Sequence, residues 1–178
     1  MKKQVVPYKK RMDEVFEQLQ KGAFLTTKNG DKINTMTIAW GGISFVWYKP
    51  VFIVYVRYSR DTYQMLEKHD EFTVSVPLSS EMKKELAYAG TKSGRDTDKI
   101  ADLHLHLKDS QKVSVPIIKE CDVHYECKVI YKQAMEPGNI PDEIKNQYYN
   151  THDYHVMYYG EILANYDSNE EDSNGTNH

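Results

Sequence analysis

The chain has 178 residues and a formal net charge of −3, from 23 Lys and Arg residues against 26 Asp and Glu residues. This length favours one domain with a sizeable core. The sequence shows no basic stripe, so a nucleic-acid-binding protein is not expected. No stretch approaches the roughly 20 apolar residues of a membrane-spanning helix, and the basic start lacks an apolar signal core. We therefore predict a cytoplasmic protein with no membrane partner.

The two cysteines, Cys121 and Cys127, lie six residues apart in a segment that is predicted to be one strand. Residues so placed on one strand are poorly positioned for a disulfide, and secreted scaffolds usually carry more cysteines. Reduced, buried thiols are expected.

The first part of the chain shows a helix followed by a hairpin. Apolar residues recur at i, i+3, i+4 and i+7 within residues 11–21, which predicts an amphipathic helix that ends at a glycine. Two β-prone runs, residues 23–27 and 33–40, flank the pair Asn29-Gly30. This pair is a strong hairpin signal, because Gly tolerates positive φ.

Further strands and two short helices follow. Apolar runs and alternating patterns predict strands over residues 51–57, 72–77, 121–133 and 155–163. Short helices are predicted over residues 61–68 and 80–89. From Tyr166 onward the polar composition predicts a disordered acidic tail, so we expect one domain over residues 1–165 and a tail over 166–178.

Many strands, few short helices and no βαβ rhythm predict a mainly β fold, a barrel with peripheral helices. No Gly-rich turn follows the first strand, which argues against a doubly wound nucleotide-binding sheet.

The junction between the strand at 51–57 and the next helix carries a group of possible anion ligands. Arg57 and Arg60 offer planar forks of donors that suit phosphate oxygens, and Ser59 and Thr62 add hydroxyl donors. The first N–H groups of a helix also lack intrahelical partners. The junction therefore indicates a phosphate site. A surface turn, in which the arginines pair with nearby acidic residues and Ser59 caps the helix, explains the same residues equally well.

A phosphate site alone is too weak to hold a ligand. Three charge-assisted hydrogen bonds of about 2 kcal/mol each fall short of the roughly 8 kcal/mol that micromolar binding requires. Residues 33–40 offer a second surface, because Asn34, Met36 and Trp40 share one face and open backbone amides can meet a polar heterocycle. An ordinary hairpin strand also fits this pattern.

Several short motifs occur along the chain in a characteristic order and spacing. They are Asn34-Thr35-Met36-Thr37, Trp40-Gly41-Gly42, Trp47-Tyr48-Lys49-Pro50, Val54-Tyr55-Val56-Arg57 followed by Ser59-Arg60-Asp61-Thr62, Phe72-Thr73-Val74-Ser75, Gly90-Thr91-Lys92-Ser93-Gly94-Arg95-Asp96 with Asp98-Lys99, and Gly160-Glu161-Ile162. Together they resemble the flavin reductase-like family of FMN-binding split barrels, and the resemblance covers roughly residues 20–165.

The resemblance implies a six-stranded Greek-key split β-barrel with short peripheral helices, and a homodimer with one FMN in each groove near the interface. It implies flavin contacts along the second strand and in a later loop, and a phosphate site at the strand-to-helix turn. The implied cofactor-binding residues are Asn34, Thr35, Met36, Thr37, Trp40, Arg57, Tyr58, Ser59, Arg60, Thr62, Lys92, Ser93 and Gly94.

Two departures from the family pattern stand out. Tyr58 replaces a frequent Pro, which leaves the phosphate donors in place. Asp153-Tyr154-His155 stands where the family often has Gly-Asp-His, so only the His is retained. A catalytic role of His155 in proton transfer or substrate contact is a hypothesis on this basis.

Two other clusters suggest chemistry less strongly. His104 and His106 share a face of an extended segment, but no third ligand is signalled, and we predict no metal site. His124 lies on the opposite strand face from Cys127, which argues against a nucleophile–base pair.

The function that the resemblance implies is an FMN-dependent oxidoreductase, in which hydride passes from NAD(P)H to the flavin and on to an acceptor. The alternative is a flavoredoxin-like, FMN-carrying protein that exchanges electrons with a redox partner protein and has no substrate of its own. A third possibility is a split barrel that has lost FMN and binds another anion or none.

Overall fold

The computed structural model describes residues 8–80 and 82–168. The strands of this part of the chain are β1 Ala23–Asn29, β2 Lys32–Ile38, β3 Gly41–Val46, β4 Lys49–Arg57, β5 Glu71–Val76, β6 Leu107–Lys108, β7 Ile117–Ile118, β8 Val123–Ala134 and β9 His155–Asp167. The helices are α1 Met12–Leu19, α2 Asp61–Leu66, α3 Lys83–Thr91, α4 Lys99–Asp102 and α5 Asp142–Tyr148, with a 3-10 turn at Pro137–Asn139.

Seven strands form one antiparallel sheet in the order β2-β1-β5-β8-β9-β4-β3, and β6 pairs with β7 separately. The expected mainly β fold with short helices is confirmed. The expected count of six strands is wrong, because β3 is a separate strand that pairs with β4.

The β3–β4 hairpin escaped prediction for a physical reason. Its turn places Trp47 at φ 53° and Tyr48 at φ 56°. Two-residue turns with positive φ at both central positions usually carry Asn and Gly, so this pair gives no turn signal. The β1–β2 hairpin, in contrast, is confirmed: Asn29 pairs with Lys32, and Gly30 has φ 60°.

The core lies inside the curved sheet and under α1. Tyr125, Tyr158, Phe52 and Phe72 are fully buried there. Gly160 makes this packing possible, since a Cβ at this position would lie 2.4 Å from the Phe72 ring. Apolar aromatic packing of this kind supplies most of the stability of such a domain.

Helix α1 covers the core with one face only. Val15 and Leu19 are buried, whereas Phe16 is 61% exposed and Met12 is 41% exposed. The predicted apolar stripe is therefore wider than the face that packs. No helix in residues 8–80 and 82–168 combines the length and the apolar character needed to cross a bilayer.

The last strand runs further than expected. β9 reaches Asp167, and Tyr166 and Asp167 pair with β8, so the expected boundary at residue 165 falls inside a strand. Arg11 holds Asp167 at 3.0 Å. Most of the predicted tail, residues 169–178, lies outside the described residues.

Both cysteines are free and buried, as expected. Burial raises the pKa of the Cys121 and Cys127 thiols well above the usual range. His124 contacts the hydroxyls of Ser75 and Ser168, which indicates a structural role.

Candidate functional site

A groove runs along edge strand β2, where the turn after β4 and the end of α3 meet it. The groove consists of two adjoining cavities of about 220 Å³ each, and Arg60 lines both. The first, which we call the aromatic cavity, is lined by Met36, Thr37, Ile38, Ala39, Trp40, Tyr55, Arg57, Arg60, Gly90 and His155. The second, the cationic cavity, is lined by Asn34, Ser59, Arg60, Asp61, Thr62, Thr91, Ser93, Gly94, Arg95 and Lys99.

Because β2 is at the edge of the sheet, the backbone groups on its outer side take part in no strand ladder. Five consecutive residues from Met36 to Trp40 line the aromatic cavity, which means that the backbone itself forms its wall. Backbone amides and carbonyls suit a planar ligand with polar edges.

Arg60 lies between the two cavities and is held against the end of α3. Its guanidinium donates to the carbonyl oxygens of Gly90 at 2.8 Å and Ala89 at 3.2 Å. Burial and the nearby charges of Arg95 and Arg57 lower the pKa of Arg60 from its ordinary value. A bound anion would relieve this repulsion between cations.

Lys99 is a buried cation at the back of the cationic cavity. Its Nζ donates to the carbonyl oxygens of Thr35 at 2.8 Å and Ala89 at 3.1 Å, and the residue is only 3% exposed. Burial, followed by the charge of Arg60, lowers the pKa of Lys99 to about 8. The Asp61 charge offsets only part of this effect, so a further anion in the cavity would stabilise the charged form of Lys99.

The cationic cavity carries more positive than negative charge. Arg60, Arg95 and Lys99 line it, against the single carboxylate of Asp61. Lys32 already neutralises Asp61 at 2.8 Å. This donor set fits a phosphate dianion.

Polar side chains shape the floor of the cationic cavity. The Asn34 amide donates to the Thr62 hydroxyl at 3.1 Å. Gly94 packs directly against Asn34 and Asp61, because a Cβ there would lie 2.2 Å from Asn34 Oδ1 and 2.7 Å from Asp61 Oδ2. Only glycine allows so close an approach of the loop.

Arg57 bonds to the β8–β9 connection (residues 135–154). It donates to the carbonyl oxygens of Asp153 at 2.5 Å and Tyr148 at 3.1 Å. Its guanidinium also lies 5.1 Å from the Tyr149 ring centroid. Arg57 therefore lines the aromatic cavity and at the same time anchors the connection.

Ser59 also bonds to the β8–β9 connection, through the carboxylate of Asp153. Its backbone N–H donates to Asp153 Oδ1 at 3.1 Å, and its hydroxyl donates to Asp153 Oδ2 at 2.5 Å. The predicted convergence of four phosphate ligands is thus found in part: Arg60, Ser59 and Thr62 line one cavity, and Arg57 does not.

His155 lines the aromatic cavity beside Trp40, with ring centroids 5.0 Å apart. Its Nδ1 lies 2.8 Å from the Tyr149 hydroxyl. Burial, followed by the charge of Arg57, lowers the pKa of His155 to about 4. The imidazole is therefore neutral at pH 7. It can donate or accept a hydrogen bond, but it is not protonated to the imidazolium.

Three of the predicted cofactor-binding residues line neither cavity. Thr35 is fully buried, and its hydroxyl bonds to the Leu25 carbonyl oxygen. Tyr58 is exposed and packs on Tyr63 with centroids 4.9 Å apart. Lys92 is exposed, and its amine lies 6.0 Å from the Tyr88 ring centroid.

Several lining residues were missed by the sequence reasoning. Tyr55, Gly90, Arg95 and Lys99 belong to the motifs that carry the family resemblance, but they were not among the predicted cofactor-binding residues. Asp98 accepts hydrogen bonds from the backbone N–H groups of Ile100 and Ala101 and so fixes the start of α4, the helix that carries Lys99.

His104 and His106 form no metal site. His106 instead bonds to Glu120 at 2.6 Å. Among residues 8–80 and 82–168, no group of three or more His, Cys, Asp or Glu side chains is placed to hold a metal ion.

Fold and groove together define a mainly β protein with a cationic cleft along a sheet edge. The sequence matches the model of the flavin reductase like domain over residues 20–176. The chain therefore belongs to the flavin reductase-like family, and the resemblance read from its motifs is confirmed.

Individual relatives agree with this assignment. An uncharacterized protein from Archaeoglobus fulgidus is 33% identical over 141 residues, which cover 79% of this chain and 68% of that protein. The flavoredoxin of Desulfovibrio vulgaris (Miyazaki F) is 26% identical, with a TM-score of 0.65 over 82% of this chain and 68% of the flavoredoxin. A split barrel domain from Shewanella frigidimarina is 13% identical, with a TM-score of 0.62 over 82% of this chain and 65% of that one. The last likeness concerns the fold alone and supports the split barrel.

Proposed function

We propose that this protein binds FMN in the groove and is an oxidoreductase of the flavin reductase type, which passes hydride from NAD(P)H to the flavin and on to an acceptor. The observation that carries the proposal is the joining of a cationic cavity to an aromatic cavity through Arg60. A family built around flavins, together with an excess of positive charge beside the ring-sized cavity, favours the phosphorylated flavin over riboflavin.

Each cavity has its own task in this proposal. Arg60, Lys99 and the hydroxyls of Thr62 and Ser59 would hold the phosphate. The backbone from Met36 to Trp40 would bond to the polar edge of the ring system. When bound, FMN supplies the two-electron redox chemistry, while the protein orients it and excludes water from one side.

His155 would act as a neutral hydrogen-bonding group at the ring. Because its pKa is about 4, a rate that depends on His155 should stay flat from about pH 5.5 to 8. We expect His155→Ala to slow single-turnover flavin reduction by about tenfold. An unchanged rate would remove His155 from the mechanism.

The proposal is tested by adding NADH or NADPH to the purified protein with FMN and following nicotinamide absorbance. Steady-state oxidation that saturates with FMN is expected with one of the two nucleotides. The visible spectrum of the protein before and after FMN addition reports binding separately from turnover.

The second candidate is an FMN-carrying electron-transfer protein, and the likeness to a flavoredoxin at 26% identity favours it. Such a protein would bind FMN in the same groove and exchange electrons with a partner protein. FMN binding without turnover of either nucleotide would support this carrier.

We also propose that the protein is a homodimer with the flavin near the interface, as the family resemblance implies. The aromatic tip of the β3–β4 hairpin supports a protein contact on that side, since Phe45 is 56% exposed and Trp47 is 58% exposed. Light scattering coupled to size-exclusion chromatography measures the mass in solution. A monomer at micromolar concentration would contradict the proposal.

A further inference from the structure

The chain places one of its own carboxylates on a residue of the proposed phosphate site. Both oxygens of Asp153 accept hydrogen bonds from Ser59, Oδ1 from the backbone N–H and Oδ2 from the hydroxyl. Ser59 lines the cationic cavity together with Arg60 and Lys99. A phosphate that enters this cavity therefore finds the Asp153 carboxylate already bonded to Ser59, one of the hydrogen-bond donors of the cavity.

The position of Asp153 is fixed by its own backbone. Arg57 holds the Asp153 carbonyl oxygen at 2.5 Å and the Tyr148 carbonyl oxygen at 3.1 Å. The two hydrogen bonds between the Asp153 carboxylate and Ser59 lie near the surface, since Ser59 is exposed and Asp153 is half-buried. Because the backbone is anchored separately and both hydrogen bonds of the side chain go to the exposed Ser59, a change of side-chain rotamer takes the carboxylate away from Ser59 without unfolding the connection.

We propose that Asp153 is a specificity-determining residue, which competes with the phosphate of FMN for Ser59 and so keeps the flavin exchangeable instead of permanently bound. This inference rests on the proposed FMN site and adds to it how firmly the phosphate is held. Asp153 takes no part in the redox chemistry itself.

Charge decides which anion wins at Ser59. A flavin phosphate carries almost two negative charges near pH 7, and it would also reach Arg60 and Lys99. The Asp153 carboxylate carries one charge and bonds to Ser59 alone among the three. The phosphate is therefore expected to bind, but against the repulsion of a nearby carboxylate, which speeds its release.

The test removes the charge of Asp153 and keeps its shape. Asp153→Asn should bind FMN about tenfold more tightly, mainly through slower dissociation. Affinity for riboflavin, which lacks the phosphate, should change less than about twofold. Fluorescence titration measures the affinities, and stopped-flow displacement of FMN measures its dissociation rate. Asp153→Ser serves as a second variant without the charge.

The matched control is Asp142→Asn. Asp142 lies in the same connection at the start of α5, is 89% exposed and pairs with Lys145 rather than with Ser59. This variant changes the net charge by the same amount and should leave FMN affinity unchanged.

A second substitution tests whether the effect runs through Ser59. In a Ser59→Ala background the gain in FMN affinity from Asp153→Asn should shrink. The Ser59 hydroxyl, one of the two donors for which Asp153 and the phosphate compete, is then absent. An undiminished gain would overturn competition at Ser59.

Failure of the role proposed for Asp153 and failure of the proposed FMN site give different results. If the wild-type protein binds FMN but Asp153→Asn binds it equally or more weakly, or gains equally for riboflavin, the inference is overturned and the FMN site stands. If neither the wild type nor the variants bind FMN, the proposed function is overturned and this inference with it.

Discussion

The two arginines of the turn after β4 lie three residues apart and bond to different parts of the molecule. Arg57 is the last residue of β4, pairs in register with His155 of β9 and bonds to the β8–β9 connection. Arg60 precedes α2 with φ −77° and ψ 143°, and bonds to the end of α3. Similar side chains on one turn thus hold different parts of the molecule.

This difference has a simple origin in backbone geometry. A strand residue keeps the direction set by the sheet, whereas the residue before a helix has left that direction. Arg60 consequently faces the excess charge of Lys99 and Arg95, and Arg57 faces carbonyl groups and the Tyr149 ring. We expect Arg60 to bind the ligand and Arg57 mainly to hold the β8–β9 connection in place.

The largest effect is expected for Arg60→Ala. Loss of charge-assisted hydrogen bonds worth about 2 kcal/mol should weaken FMN binding by about 30-fold. Riboflavin should lose much less, because it has no phosphate. Parallel titrations of both flavins check this, and equal losses for the two flavins would show that Arg60 does not contact a phosphate.

Lys99 should make the affinity for FMN dependent on pH. Its pKa of about 8 lies below its ordinary value of 10.5, so its charge is present at pH 7 and lost as the pH rises through 8. The phosphate charge is nearly constant over this range, since its second pKa is about 6. FMN affinity should therefore fall by up to about tenfold between pH 7 and pH 9.

The substitution Lys99→Met should lower the affinity at pH 7 and flatten this pH dependence. Lys92→Met is the matched control, because Lys92 is an exposed lysine that lines neither cavity. A pH dependence that survives in Lys99→Met would assign it to another group.

The smallest effect on binding is expected for Arg57→Ala. FMN affinity should fall by only about threefold, because its bonds go to backbone carbonyl groups of the connection. The connection itself should loosen, which hydrogen exchange of residues 148–154 measures directly. If Arg57→Ala weakens FMN as much as Arg60→Ala does, the division between the two arginines is wrong.

How much of this could be predicted from the sequence depended on how local the signal was. The β1–β2 hairpin and the turn that carries Ser59, Arg60 and Thr62 were predictable, because Asn-Gly and the strand-to-helix change are encoded within a few residues. The β3–β4 turn was not, since Trp47 and Tyr48 occupy positions that normally require Asn or Gly.

The parts of the site that the sequence did not reveal come from long-range packing. Asp153 reaches Ser59 across 94 positions of the chain, and Lys99 reaches Thr35 across 64. Neither contact leaves a local pattern, because nothing near Asp153 or Lys99 in the sequence specifies its partner. The direction of the Arg57 side chain could not be predicted either, because its partner Asp153 is distant in the sequence.

The central claim is that the groove holds a phosphorylated flavin by its phosphate. Titration of the wild-type protein with FMN and with riboflavin, followed by flavin fluorescence at pH 7, tests it most directly. We predict saturable FMN binding at micromolar concentration or below, at least about tenfold tighter than riboflavin. Equal affinities for the two flavins, or binding of neither, would contradict the account.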